Sequence, residues 1–188
     1  MFSYTPVPDF LSDKIILVTG AGSGLGQAAA KAYAKHGATV LLLGRNEQKL
    51  EQTYDDIEAA GGPQPALFVL DLETAGETQY HELANLIANE FGRLDGVLHN
   101  AGVFSPQLPL EYHSMEIWDR LLRVNLTAGF GLTKSCLPLL RAAPHASLVF
   151  TSSRAGKELK AYWGAYAIAK HGVENLATLF FQELQNTS

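Results

Sequence analysis

The 188-residue sequence predicts an α/β fold, a three-layer doubly wound parallel sheet in a single domain. Three observations predict it. Short apolar runs alternate with longer stretches of helical period. Most of those runs are continuously apolar, as strands covered on both faces are. Glycines punctuate the ends of the helical stretches, at Gly37, Gly61-Gly62-Pro63 and Gly92.

In chain order, KIILVT (14–19) is the first strand, and a glycine-rich turn then opens a helix near 24–36. ATVLLL (38–43) and ALFVL (66–70) are the next strands, separated by a helical stretch near 46–60. A third helix near 76–91 leads to GVLH (96–99). A loop (103–113, VFSPQLPLEYH) follows at the carboxyl end of that strand, where open parallel sheets bind ligands. A long helical stretch, 114–140, precedes ASLVF (146–150), and a last helix spans 164–186. The 114–140 stretch is interrupted. Asn125, Gly129 and Gly131 break its apolar face, which predicts a local distortion or a close contact needing small residues.

Composition narrows the function classes. Apolar residues at 47% with 18% charged fit a globular chain and oppose disorder. A net charge of −5 gives no basic field for nucleic acid or an anionic membrane. No apolar run reaches bilayer-spanning length, and the N-terminal residues lack the pattern of a secretory signal. The single cysteine, Cys136, excludes an internal disulfide framework and is expected to be a buried filler. The expected setting is a reducing cytoplasm.

The turn after the first strand reads Thr19-Gly20-Ala21-Gly22-Ser23-Gly24-Leu25-Gly26. Glycine there permits a tight turn and lets backbone amides approach a diphosphate at a helix N-terminus. The spacing is TGxxxGxG. It is neither GxGxxG nor a nucleotide-hydrolysing P-loop, which would need G-K-[ST]. Near the C-terminus, Tyr166 and Lys170 stand four residues apart on one helical face, with Ser153 thirteen residues before the tyrosine. An ammonium in that position favours the phenolate, so the phenol can exchange a proton near neutral pH. Tyr162 has no lysine four residues on, so only Tyr166 has its cation.

These motifs together resemble the short-chain dehydrogenase/reductase family, over nearly the whole chain. HNAG, SLVFTSS and WGAYAxxK are most similar to the YciK-type bacterial oxidoreductases within it. The resemblance implies a Rossmann sheet and a nicotinamide cofactor at Gly20, Ser23, Gly24, Leu25 and Gly26. It implies an adenine-contacting pair at Asp71-Leu72 and a cofactor wall at Asn100, Ala101 and Gly102. It implies a tyrosine acid/base at Tyr166 and a substrate-orienting hydroxyl at Ser153. Lys170 would bond the nicotinamide ribose, so Tyr166 and Lys170 also border the cofactor. Asn125 would hold a water in a proton relay. The expected substrate is a small alcohol or carbonyl compound, and a homo-oligomer is expected.

Gly44 stands where an NAD-binding acid is expected, and Arg45 follows it. An arginine grips a 2′-phosphate through several donors, so NADP is expected over NAD, with no carboxylate nearby to repel the phosphate. His99 departs from the family's usual asparagine; without a second ligand at metal spacing, it reads as a hydrogen-bonded strand-end histidine rather than a metal ligand. Family members continue beyond the tyrosine helix with two further strands. The resemblance therefore implies that residues 1–188 are a C-terminally incomplete domain whose sheet ends on ASLVFTS with an open edge. Two alternatives to an NADP-dependent dehydrogenase or reductase remain at this point. One is a non-catalytic NAD(P)-binding module acting as a sensor or assembly partner. The other is a nucleotide-sugar epimerase, against which Ser23 argues by occupying a glycine position of TGxxGxxG.

Overall fold

A computed structural model describes residues 6, 7, 9–104 and 106–185. Among the described residues there are five strands: β1 (Ile15–Thr19), β2 (Thr39–Gly44), β3 (Ala66–Val69), β4 (Gly96–His99) and β5 (Ser147–Phe150). They pair in parallel throughout, in the order β3-β2-β1-β4-β5. Chain direction across the sheet reverses between β1 and β4. Such a switch point opens a crevice beyond the carboxyl ends of the two strands. The TGxxxGxG turn leaves β1 there and HNAG leaves β4 there.

The helices α1 (Gly24–Lys35) and α2 (Glu47–Ala59) follow β1 and β2; α3 (Glu77–Phe91) follows β3. Alternation along each strand divides the core. Leu17, Leu41, Leu43 and Val97 face α3 with Tyr80, Leu83 and Ile87. Val18, Val40 and Leu42, one residue out of phase, pack on Ala30, Ala34, Leu50 and Ile57 of α1 and α2. Burying each such Leu or Val contributes roughly 1.5–3 kcal/mol, which is why the strands read as unbroken apolar runs.

The long helical stretch expected at 114–140 is three pieces. They are α4 (Met115–Leu122), a π-helical turn (Arg123–Thr127) and α5 (Ala128–Arg141). The amide of Ala128 reaches back five residues to the Arg123 carbonyl. The carboxamide of Asn125 donates to the Leu121 carbonyl at 3.0 Å. A side chain thus takes an acceptor within the ladder, which distorts a helix at that point. The two glycines serve packing. A Cβ at Gly131 would come within 2.7 Å of the Tyr80 ring, and one at Gly129 within 3.3 Å of Phe150. Cys136 lies fully buried beside them, and burial pushes its thiol pKa up to about 12.

Beyond β5, α6 (Gly164–Leu184) lies against the sheet through Phe180, which stacks on Phe150 with ring centroids 6.4 Å apart. Residue 186, the expected end of this helix, is outside the described residues. Among the described residues β5 lies at one edge of the sheet, and Val149 on it is half exposed.

Candidate active site

The β1–α1 turn is packed backbone to backbone. Gly20 adopts φ +69°, a left-handed conformation open to glycine. A Cβ on Gly26 would stand 2.2 Å from the Gly20 carbonyl oxygen and 2.6 Å from the Asn100 side-chain nitrogen, Nδ2. Side chains are excluded, so the chain closes tightly enough to present its own amides. Thr19 fixes the opposite wall. Its hydroxyl accepts from the Asn100 and Ala101 amides, both at 2.9 Å, and thereby ties the end of β1 to the residues after β4. Thr151 donates to the Asn100 side chain at 3.3 Å, adding β5 to the same junction.

A cleft of about 240 Å³ opens over this junction. Of the residues expected at the cofactor, Gly20, Ser23, Arg45, Asp71, Leu72, Ala101 and Gly102 line it. Gly24, Leu25, Gly26 and Asn100 do not. Gly26 and Asn100 brace the turn from behind, and Leu25 is exposed on the first turn of α1. Sequence reasoning missed Gly22, Asn46 and Lys49, which also line the cleft. A Cβ on Gly22 would approach the Lys49 Cβ to 2.9 Å, so the turn rests directly on the start of α2. Asn46 caps that helix, accepting from the Lys49 amide at 3.0 Å. A cap residue three positions before a lysine is a local signal that could have placed Lys49 on the first turn of α2.

One expectation about Arg45 needs correcting. A carboxylate is nearby: Glu73 lies 3.6 Å from the Arg45 guanidinium. It follows β3 and is 28 positions away, so no local pattern shows the pairing. Glu73 also bonds Arg120 of α4 at 2.9 Å, so its charge is shared between two cations.

At the other end of the cleft, the carboxamide of Asn125 holds the backbone of Val103 from both sides. It accepts from the Val103 amide at 3.2 Å and donates to its carbonyl at 2.9 Å. Both of its N–H groups are engaged, one on Val103 and one on Leu121. The second lone pair of its oxygen remains open. Gly102 permits this approach, because a Cβ there would meet that oxygen at 2.8 Å and Lys170 Nζ at 3.9 Å. Asn125 and Lys170 also border a cavity of about 10 Å³ with Thr151 and His99, room for no more than a single water.

Lys170 is buried, and among the described residues its ammonium has one acceptor, the Thr151 carbonyl at 2.8 Å. Burial lowers its pKa from the ordinary lysine value. Its nitrogen stands 6.0 Å from the centre of the Tyr166 ring, so the two residues are neighbours on α6. The two adjacent serines diverge. Ser152 donates to Glu174 on α6. Ser153 accepts from the Ala155 amide at 3.2 Å, capping a short 3₁₀ turn (Arg154–Gly156), and among the described residues its own proton has no acceptor. Ser153 and Tyr166 stand outside the lining of both cavities, on the more open side. His99 is a hydrogen-bonded core histidine. Its Nε2 lies 2.8 Å from the Thr133 hydroxyl, its ring stacks on Phe150, and burial holds its pKa down at about 3.

The cleft fits a dinucleotide. Glycines fill the places where side chains would block it, two cations border one end, and the buried Lys170 ammonium lies behind Gly102 at the other, 3.9 Å from where a Cβ there would stand. Comparison with known proteins agrees. The family model for short chain dehydrogenases matches residues 14–188. The uncharacterised oxidoreductase YciK of Escherichia coli strain K12 is 46% identical over 182 residues, covering 97% of this chain and 72% of YciK. A Pseudomonas syringae structure designated a short chain dehydrogenase superposes with a TM-score of 0.97 at 47% identity, over 100% of this chain and 76% of that one. A like-designated structure from Escherichia coli CFT073, complexed with NADPH, gives a TM-score of 0.93 at 46% identity, over 96% of this chain and 75% of its own. The chain belongs to the short chain dehydrogenase family, and it is an oxidoreductase of the YciK type.

Proposed function

We propose that the protein moves a hydride between NADP(H) and a small alcohol or carbonyl compound, with Tyr166 as the general acid and base. The observation that carries this reading is the Lys170 ammonium. It is buried beside the Tyr166 ring and behind Gly102 of the cleft wall, and among the described residues its three donors have one acceptor. A buried cation with unmatched donors fits ribose hydroxyls better than a purely structural role.

When bound, the nicotinamide supplies the hydride in reduction and takes it in oxidation. The protein's residues supply the rest. Tyr166 gives its hydroxyl proton to the substrate oxygen in reduction and withdraws it in oxidation. Lys170, beside the Tyr166 ring, keeps N–H donors that ribose hydroxyl oxygens of the bound cofactor would accept from. Ser153 turns its uncommitted proton toward the substrate oxygen and orients it, a preorganised contact. Asn125 holds the Val103 backbone in place and offers its remaining lone pair to a water leading toward Lys170.

Selection of NADP over NAD rests on Arg45 and Lys49, which border the cleft next to Gly44. Neighbouring structures from Shigella flexneri 2a and Escherichia coli CFT073 are complexed with NADP and NADPH, respectively, at 45% and 46% identity. A cytoplasmic homo-oligomer completes the reading. Phe130 on α5 and Leu179 and Phe181 on α6 present exposed apolar area for a second copy. Sedimentation of the purified protein as a monomer would remove that part.

The central test is Tyr166→Phe, assayed by NADPH oxidation with a panel of carbonyl compounds and by NADPH fluorescence on binding. Turnover should fall about 10²–10⁴-fold while NADPH still binds. Turnover near the wild-type rate would refute the role of the phenol.

A further inference from the structure

The cleft and the phenol leave open which carbonyl compound is taken, but the rings around Tyr166 restrict it. Phe104 follows Val103, the residue that Asn125 clamps from both sides. Its ring meets Tyr166 edge-on, with centroids 4.9 Å apart and planes at 81°. It meets Trp163 in the same manner at 5.5 Å and 68°. Trp163 and Tyr166 are themselves 6.0 Å apart. The three rings are in mutual contact, yet Phe104 keeps 54% of its surface exposed. It therefore stands on the open side of the phenol rather than in the core.

Trp163 is held as firmly as Phe104. The Tyr162 carbonyl before it accepts from the Leu108 amide at 3.2 Å, joining the two loops that carry the rings. Gly164 after it lies against His113, whose ring a Cβ there would strike at 2.5 Å. Tyr162 itself sits at φ +74°, a left-handed conformation that a tyrosine adopts only under local constraint. The turn is thus fixed in a shape that delivers Trp163 next to the acid/base. Leu110 and Tyr112 on the first loop and Tyr162 on the second are exposed as well.

We infer that Phe104 and Trp163 form an aromatic wall that binds a planar apolar substituent on the reacting carbon. The substrate class is then an aromatic or similarly flat aldehyde, ketone or alcohol, in preference to a short aliphatic one. Ring faces and edges placed around the phenol offer a flat substituent both area and favourable ring–ring geometry. A two-carbon chain can use neither. This inference rests on the assignment of Tyr166 as the proton donor to the substrate oxygen.

The test compares benzaldehyde with propanal, with NADPH as reductant, in the wild type, Phe104→Ala and Trp163→Ala. Dividing each variant by the wild type cancels the intrinsic reactivity of the two aldehydes. The benzaldehyde-to-propanal ratio of kcat/KM should fall about tenfold or more in each variant, mainly through KM for benzaldehyde. A ratio within twofold of the wild type, or equal losses on both aldehydes, overturns the wall. A second readout needs no turnover. Trp118 and Trp163 are the two tryptophans, so Trp118→Phe leaves Trp163 as the sole reporter. Benzyl alcohol with NADP should quench its emission, and Phe104→Ala should weaken that binding; unchanged emission counts against the wall. Failure of the underlying reading looks different: Tyr166→Phe keeps its turnover, whatever the aldehyde ratio.

Discussion

Two charged side chains are buried at opposite ends of the sheet, and their surroundings are built on different terms. Asp95, before β4, sits at the amino end. Its carboxylate accepts from the Ile15 amide at 3.0 Å, from Lys14 at 3.1 Å and from Arg93 at 3.1 Å. Burial works to raise its pKa, but these partners together hold it below the ordinary carboxylate value. Lys170 sits at the carboxyl end, where among the described residues one carbonyl serves its three donors, and there burial prevails and lowers its pKa. A buried charge whose bonds are all made stabilises the fold around it. One whose bonds are left open is a cost to the fold, and the capacity it keeps is available to a ligand.

The sharpest way to break this comparison is to remove both charges. Lys170→Met should cut turnover about 10³-fold and weaken NADPH binding, yet leave the melting temperature unchanged or higher. Methionine fills similar space without an ammonium to desolvate. Asp95→Asn should do the reverse. It leaves Lys14 and Arg93 facing a neutral amide and should cost roughly 3 kcal/mol of stability, the low end for a broken buried pair because both cations keep some solvent. Urea melts of the two variants, read beside NADPH titrations, decide it. Equal destabilisation by both would show that Lys170 is structural like Asp95.

Arg45 tests the open-bond idea at the far end of the cleft. Glu73 is its protein partner at 3.6 Å, and Arg120 can take that carboxylate alone. Replacing both Arg45 and Lys49 by alanine should lower the NADP-to-NAD ratio of kcat/KM by roughly 30-fold, about 2 kcal/mol. If the ratio holds, neither cation reads the 2′-phosphate.

The contrast between the two ends also explains what the sequence could reveal. The five strands and the TGxxxGxG turn were legible because their causes are local: apolar period, and backbone contacts that exclude a Cβ. The Tyr166–Lys170 pair was legible for the same reason, as neighbours on one helix. Asn125 with its glycines foretold a distortion at 114–140, but not a π-helical turn, whose shape depends on the clamp to Val103 in another loop. The Glu73 bridge, the Thr19 tether and the ring contacts of Phe104 join residues dozens of positions apart. No spacing rule reaches them, because tertiary packing alone brings them together.

His99 supplies the finest test, since it is a buried group that folding keeps neutral. Its folded pKa of about 3 lies below the 6.5 of an unperturbed histidine. Below pH 6.5 the unfolded chain takes up a proton that the folded chain refuses, so stability present above pH 6.5 is lost as pH falls toward 3. One pH unit into that window the loss is about 1.4 kcal/mol. The depressed carboxylates Asp95, Asp56 and Glu77 act mainly below about pH 4.5, so between 6.5 and 4.5 the difference in slope between wild type and a His99 variant reports the histidine. His99→Asn loses the bond to Thr133 and the stack on Phe150, so it should be less stable at pH 8. Its stability should nevertheless vary less between pH 6.5 and 4.5. The slope of the urea midpoint across that interval is therefore the quantity to measure, since packing losses shift its height and the proton alone sets its pitch. An unchanged slope would place the acid sensitivity elsewhere and leave His99 a packing residue only.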